Sequence, residues 1–223
     1  MADALLLTGC KQLVTMAGPA PRRGRALGEI GAIHDGAVLI ADGRIVAAGP
    51  RGRVERHPAV AGRRARKMDL GGRVVTPGLV DAHTHLVFAA SRAAEYEQRI
   101  AGATYEQIAK SGGGILSSVR ALRGAPDDAL AASARARLER MAAHGTTTVE
   151  AKTGYGLDFE NELRTLKLLR QLGREQAVEI VPTLLAAHVV PPEFRSRSSG
   201  TFRRSLAAAA PRSSATRTGS RAS

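Results

Sequence analysis

The sequence has few sulfur-containing and aromatic side chains. Its 223 residues include one cysteine and no tryptophan, and aromatic residues make up 3% of the chain. A single cysteine, Cys10, excludes an internal disulfide and is typical of a protein in the reducing cytoplasm. No apolar run reaches the roughly 18 residues that a membrane span needs, and no basic-then-apolar leader opens the chain. We therefore expect a cytoplasmic protein without a membrane partner.

Acidic residues are also scarce. The chain has 33 Lys+Arg against 20 Asp+Glu, which gives a formal net charge of +13. Such an excess is compatible with a basic nucleic-acid binder. However, arginine is abundant along the whole chain, and six arginines lie in an acid-free tail, residues 196–223. We interpret the charge as a composition bias and expect no nucleic-acid partner, because the few aromatic residues offer few surfaces for base stacking.

Residues 1–73 have the pattern of a small β-domain. Two apolar runs flank Asp42-Gly43, and an Asp-Gly pair in that position predicts a β-hairpin. The apolar runs of this part are 4–8, 12–16, 37–41 and 44–48. Residues 17–36 and 50–66 are rich in Gly, Pro and Arg, and we interpret them as loops.

Residues 74–195 alternate between strand and helix patterns. Strands are predicted over 74–88, 146–151 and 178–187, and the apolar character of the first is expected of a strand buried on both faces. Helices are predicted over 104–110 and 126–143, and a third begins at Asp158 and ends at Gly173. This order is typical of a parallel α/β fold, in which the loops after the strands carry function.

His83 and His85 are the strongest candidates for chemistry. Residues two apart on a strand point to the same side. Near the end of a strand, the two imidazoles would therefore face one point, as a metal site requires. The alternative is that they are two unrelated histidines, one of them hydrogen-bonded in the core.

The sequence around these histidines resembles the signature of the amidohydrolase superfamily. The stretch is Val75-Thr-Pro-Gly-Leu-Val-Asp-Ala-His-Thr-His85. Four further stretches are similar to the imidazolonepropionase family within it, namely residues 88–96, 111–116, 144–156 and 186–193. The resemblance covers residues 4–195, and its motifs agree in order and spacing.

The resemblance implies a fold, an activity and a site. The fold is a (β/α)₈ TIM barrel, of which about three βα units are present, preceded by part of a small β-sandwich. The activity is hydrolysis of the ring amide of a small-molecule substrate, 4-imidazolone-5-propanoate, to N-formimidoyl-L-glutamate in histidine degradation, with a homodimer in full-length members. His83 and His85 would bind zinc or iron (Zn²⁺ or Fe³⁺), and Arg92, Tyr155 and His188 would contact the substrate. A guanidinium suits the substrate's propionate, so we assign that contact to Arg92.

The chain departs from the family after residue 195. A barrel of this kind takes about 250 residues, whereas residues 74–195 supply three strands, so the other metal ligands and the proton-transferring carboxylate would lie beyond them. We therefore expect three parts: 1–73, a portion of the β-sandwich; 74–195, the first part of the barrel; and 196–223, a disordered tail. The tail's Ser/Arg/Ala-rich composition is typical of an out-of-frame translation of GC-rich DNA, and a natural disordered tail is the alternative.

These expectations leave other functions open. The chain on its own is expected to be inactive and poorly soluble, because three barrel strands leave an unpaired edge and exposed apolar faces. Within the superfamily, another cyclic amidase or a deaminase is an alternative. The non-enzymatic alternatives are an inert truncated product and a basic nucleic-acid binder.

Overall fold

The computed structural model describes residues 4–62, 65–186 and 188–190. The chain divides into two units, with the boundary between Gly78 and Leu79. The predicted tail, residues 196–223, lies outside the described residues. None of the helices in the described part of the chain is long and apolar enough to cross a membrane.

The first unit contains two β-sheets. Its strands are β1 (Ala4–Thr8), β2 (Gln12–Val14), β3 (Ala32–His34), β4 (Gly36–Ala41), β5 (Arg44–Pro50), β6 (Arg66–Asp69) and β7 (Val74–Val75). One sheet has the order β5-β4-β1-β6, and the other has the order β3-β2-β7. In the first sheet, β4 is antiparallel to both of its neighbours, while β6 runs parallel to β1.

The predicted hairpin is confirmed, but the predicted loops are wrong in part. β4 and β5 pair on either side of Asp42 and Gly43, whose φ angles of 53° and 71° are those of a tight hairpin turn. The segment 17–36 contains a 3₁₀ turn (Gly24–Gly28) and β3, and the segment 50–66 contains two short helices, α1 (Arg51–Glu55) and α2 (Pro58–Gly62). Each of these helices has only five residues, and α1 buries one side chain, Val54, whereas α2 buries none, so neither has a periodic apolar pattern.

The side chains of β4 alternate between two faces of its sheet, and each face contributes to a separate apolar cluster of the first unit. Ala37 and Leu39 pack with Leu6 and Val54 in one cluster. Val38, which points to the opposite face, packs with Cys10 and Leu13 in a second cluster. This is the two-residue period of a strand with apolar contacts on both faces. Cys10 is 3% exposed, and its thiol lies 2.9 Å from the Gly36 carbonyl oxygen.

The second unit has a parallel α/β fold, as the sequence predicts. Its strands β8 (Leu79–Thr84), β9 (Thr146–Lys152) and β10 (Glu179–Thr183) form a parallel sheet with the order β10-β9-β8. Four helices lie between β8 and β9: α3 (Ala93–Ile100), α4 (Tyr105–Lys110), α5 (Ile115–Gly124) and α6 (Asp127–Ala143). Helix α7 (Phe159–Glu175) connects β9 to β10.

Local capping signals set the starts of two helices. Thr104 and Gln107 form a capping box at α4, and the Asp158 carboxylate accepts a hydrogen bond from the Asn161 backbone N–H at 2.8 Å at the start of α7. The predicted end of α7 at Gly173 is wrong, because the helix continues to Glu175. Gly173 stays in the helical conformation and is not a left-handed terminating glycine.

Helix α6 packs against β9 and helix α7 packs against β10, and together they form the core of the second unit. On α6, an apolar stripe of Leu130, Ala134 and Leu138 at helical spacing is buried. Val149 and Ala151 of β9 are fully buried against it. On α7 the buried residues are Glu162, Thr165, Leu168, Leu169 and Leu172, while Leu163 and Leu166 are half-buried.

The first predicted strand of the α/β part is wrong in extent and in burial. Val74 and Val75 form β7 in the first unit, and β8 begins only at Leu79. Pro77 separates the two, since proline lacks the N–H that a continuous ladder would need. Leu79 and Val80 are 55% and 68% exposed. The burial of these side chains would require further elements packed on the faces of β8.

Candidate active site

His83 and His85 lie side by side at the carboxyl end of β8. Their ring centroids are 5.7 Å apart. His83 is exposed and His85 is half-buried. The Nδ1 atom of His85 is buried and has no hydrogen-bond partner in the described part of the chain. A buried polar atom without a partner is unfavourable unless a ligand satisfies it.

Tyr155 and His188 surround His85. The Tyr155 ring stacks on the His85 ring with the centroids 4.6 Å apart, and the His188 ring lies 5.1 Å from His85. Tyr155 follows β9 and His188 follows β10, so these side chains come from three neighbouring strand ends. The carboxyl ends of parallel strands meet at one edge of a sheet, which is where such folds place their functional residues.

The surroundings of His85 favour its neutral form. Burial lowers the pKa of the His85 imidazole, and the neighbouring His188 and His83 lower it further. A neutral imidazole is the form that coordinates a metal ion. The electrostatics of the cluster therefore suit a ligand role for this ring.

The two histidines fit a metal ion as part of a ligand set. Imidazole nitrogens accept zinc and iron alike, and the unpartnered Nδ1 of His85 shows that this ring's hydrogen-bonding capacity is unfilled. No group of three or more His, Cys, Asp or Glu able to hold a metal occurs among residues 4–62, 65–186 and 188–190. Catalytic zinc sites use three protein ligands and an open position. A metal bound to this pair would therefore need further donors.

Arg92 is paired with a carboxylate. Its Nε and Nη2 atoms lie 2.7 Å and 2.6 Å from one Glu95 oxygen, and the other Glu95 oxygen accepts the Gly114 backbone N–H at 3.0 Å. The hydrogen bond to Glu95 raises the pKa of Arg92 further above its usual range. Arg92 lines a cavity of about 330 Å³ together with Arg99 and Tyr105. A substrate carboxylate would have to share this guanidinium with Glu95.

Three acidic residues near the site escaped the sequence analysis. Glu95 could have been found, because it lies three residues after Arg92, in the first turn of the helix that Arg92 precedes. Glu150 forms an ion pair with Lys152 and accepts the Thr183 hydroxyl at 2.7 Å, which gives Lys152 a structural partner. The third is Glu162, which accepts backbone hydrogen bonds from Gly154 and Leu157 in the preceding loop. No local sequence pattern predicts these contacts.

The fold and the site indicate the class to which this protein belongs. The second unit is a parallel α/β fold with a His-x-His pair at the end of its first strand, β8, next to side chains that follow β9 and β10. A family model described as "Amidohydrolase family" matches residues 74–189, more than half of the chain. The chain belongs to the amidohydrolase family.

Within this family, the chain is similar to proteins named imidazolonepropionase. The chain is 53% identical to the imidazolonepropionase of Solibacter usitatus over 196 residues, which are 87% of this chain and 46% of that protein. It is 49% identical to the imidazolonepropionase of Symbiobacterium thermophilum over 193 residues, 86% of this chain and 45% of the relative. The resemblance to imidazolonepropionases that the motifs predict is thus confirmed. The chain spans about half the length of the curated relatives it matches.

A solved structure supports the fold alone. The guanine deaminase of E. coli superposes with a TM-score of 0.56 at 12% sequence identity, and the match covers 91% of this chain and 43% of that enzyme. At that identity the likeness concerns the path of the backbone and carries no information on the substrate.

Proposed function

We propose that this chain provides the first part of an imidazolonepropionase, which hydrolyses the ring amide of 4-imidazolone-5-propanoate to N-formimidoyl-L-glutamate. The proposal is supported by about 50% identity to relatives of that name. The observation that carries it in the structure is the convergence of His83, His85, Tyr155 and His188 at three adjacent strand ends. That arrangement can hold a metal and a small planar ring at one place.

Each residue of the cluster has a role in this proposal. His83 and His85 would hold zinc or iron, with further donors from residues outside the described part of the chain. When bound, such a metal lowers the pKa of a water molecule and polarises the ring carbonyl. The Tyr155 hydroxyl can donate or accept a hydrogen bond, and His188 can do the same from its ring nitrogens. These two side chains would orient the imidazolone ring, and Arg92 would bind the propionate.

The architecture and setting of the whole protein are part of the proposal. The second unit would be the first part of a (β/α)₈ barrel, and the first unit would be a portion of a small β-sandwich. The division at residues 73 and 74, the cytoplasmic location and the homodimer remain predictions.

The function can be tested in a chimera. Residues 1–190 of this chain are joined to the remaining C-terminal part of the Solibacter usitatus relative, and we call the product the completed protein. We expect it to hydrolyse 4-imidazolone-5-propanoate, measured by the loss of the ring's ultraviolet absorbance. Guanine, hydantoin and dihydrouracil serve as competing substrates. Turnover of one of these, with none of 4-imidazolone-5-propanoate, would contradict the proposal and favour another cyclic amidase or a deaminase.

Substitution of Arg92 by lysine tests the propionate contact. In the completed protein, Arg92→Lys is expected to raise KM by about 10- to 100-fold, because a point charge replaces a planar fork that can bind the carboxylate through two hydrogen bonds. We expect a small change in kcat, since the propionate is remote from the ring amide. Steady-state kinetics measure both. Arg140→Lys, at an exposed arginine of α6, is the matched control, and an unchanged KM in Arg92→Lys would remove the assignment.

A further inference from the structure

A buried carboxylate holds the loop that carries Tyr155. The loop, residues 153–157, connects β9 to α7. Glu162 in the first turn of α7 is 1% exposed. Its Oε2 atom accepts the Gly154 backbone N–H at 2.9 Å, and its Oε1 atom accepts the Leu157 backbone N–H at 2.7 Å. One side chain thus binds the backbone on both sides of Tyr155.

The loop has little freedom to take another path. Gly154 has a φ of 115°, and a Cβ atom there would lie 3.0 Å from the Leu185 carbonyl oxygen. At Gly156 a Cβ atom would lie 2.7 Å from the backbone of Asn161 and Glu162. Leu157 has a φ of 57°, a left-handed conformation that is costly for a residue with a side chain. Such a conformation persists only where surrounding contacts hold it.

Two other residues of the loop, Thr153 and Gly156, also form hydrogen bonds with neighbouring segments. Arg123 Nε donates to the Gly156 carbonyl oxygen at 2.8 Å. The Thr153 backbone N–H donates to the Thr183 carbonyl oxygen at 2.9 Å, and the Thr153 hydroxyl accepts the Leu185 N–H at 2.9 Å. Glu162 differs from these hydrogen-bond partners because its two oxygens bind backbone N–H groups on both sides of Tyr155.

We propose that Glu162 is a positioning residue that holds Tyr155 against His85. A charged acceptor forms stronger hydrogen bonds than a neutral one, and two backbone donors satisfy the buried carboxylate. Its place at the amino end of α7 also stabilises the negative charge. The kinetic consequences rest on the proposed function, whereas the effect on the loop does not.

The variant Glu162→Gln separates this role from simple packing. Glutamine has nearly the same shape, but it has one acceptor oxygen, and its amide nitrogen cannot accept a hydrogen bond. At least one of the Gly154 and Leu157 N–H groups therefore loses its partner. Glu160→Gln is the matched control, because Glu160 lies in the same first turn of α7 and is exposed. It removes the same charge from the helix terminus.

Hydrogen exchange in the completed protein tests the loop directly. In Glu162→Gln we expect the amide protons of Gly154 and Leu157 to exchange about 10- to 100-fold faster, as the loss of a hydrogen bond to a charged group predicts. Glu160→Gln should leave both rates unchanged. Equal rates in Glu162→Gln and the unsubstituted completed protein would overturn the proposal, as would unprotected exchange of both amides in the unsubstituted completed protein.

Kinetics of the completed protein test the consequence for the ring cluster. Glu162→Gln should raise KM for 4-imidazolone-5-propanoate by about tenfold. In a Tyr155→Phe background the same substitution should add little, because both changes act through one side chain. Additive effects, or a fall in active enzyme at constant KM, would indicate a merely structural role. Absence of turnover in the unsubstituted completed protein would instead contradict the proposed function, and the exchange rates would still decide the role of Glu162.

Discussion

Replacement of either His83 or His85 by alanine is expected to lower kcat/KM of the completed protein by about 10³-fold or more. A Lewis-acidic metal supplies several kcal/mol of transition-state stabilisation, and about 1.4 kcal/mol corresponds to a factor of ten. The two rings lie 5.7 Å apart at the end of one strand, so loss of one leaves its partner as the only imidazole that β8 directs to this point. A site reduced by one ligand would bind the metal weakly.

Metal content and kinetics should be measured on the same samples. We expect the bound zinc or iron per chain to fall together with turnover in His83→Ala and His85→Ala. His144→Ala is the matched control, since His144 is exposed at the carboxyl end of α6 and has no place in the ring cluster. Full metal content and turnover in either site variant would show that the pair does not ligate the catalytic metal.

The 223-residue chain by itself is expected to hydrolyse 4-imidazolone-5-propanoate at least about 10³-fold more slowly than the completed protein. Its described residues bring together the imidazoles of His83, His85 and His188, but they contain no group of three or more His, Cys, Asp or Glu able to hold a metal. A catalytic metal needs three ligands and an open position. The assay compares equal molar amounts of the two proteins with added zinc or iron. Comparable turnover by the chain would contradict this account of the ligand set.

The same chain is expected to self-associate. The edge strand β8 exposes Leu79 and Val80, and Val181 of the other edge strand, β10, is 46% exposed. Unpaired edges and exposed apolar faces favour association with further copies. Light scattering should show large species for the chain and a single small oligomer for the completed protein. Val80→Lys, which places a charge on the exposed edge, should reduce the association, and a monodisperse unsubstituted chain would contradict the prediction.

The elements that the sequence predicted well depend on contacts between near neighbours. The Asp42-Gly43 hairpin and the start of α7 at Asp158 follow from turn geometry and capping, which act over a few residues. The helices over 51–55 and 58–62 were missed because each is only five residues long and lies in a segment rich in Gly, Pro and Arg. Burial of β8 was predicted wrongly, since an apolar run shows what a strand could bury and not which elements cover it.

The candidate site shows the same division. The rings of His83 and His85 were expected to lie together because both belong to one strand. The pairing of Arg92 with Glu95 could have been predicted from their three-residue spacing at the start of a helix. The contact of Glu162 with Gly154 and Leu157 follows from the path of an irregular loop, for which no periodic signal exists.

The sequence by itself determined the family, the alternation of strand and helix, and the His-x-His pair, because motifs and periodicities are properties of contiguous residues. Only the tertiary structure decided that Tyr155 and His188 surround His85 and that Glu162 holds the intervening loop. Those contacts join the ends of three strands that are far apart in the chain, and they form only when the helices return each strand to the same edge of the parallel sheet.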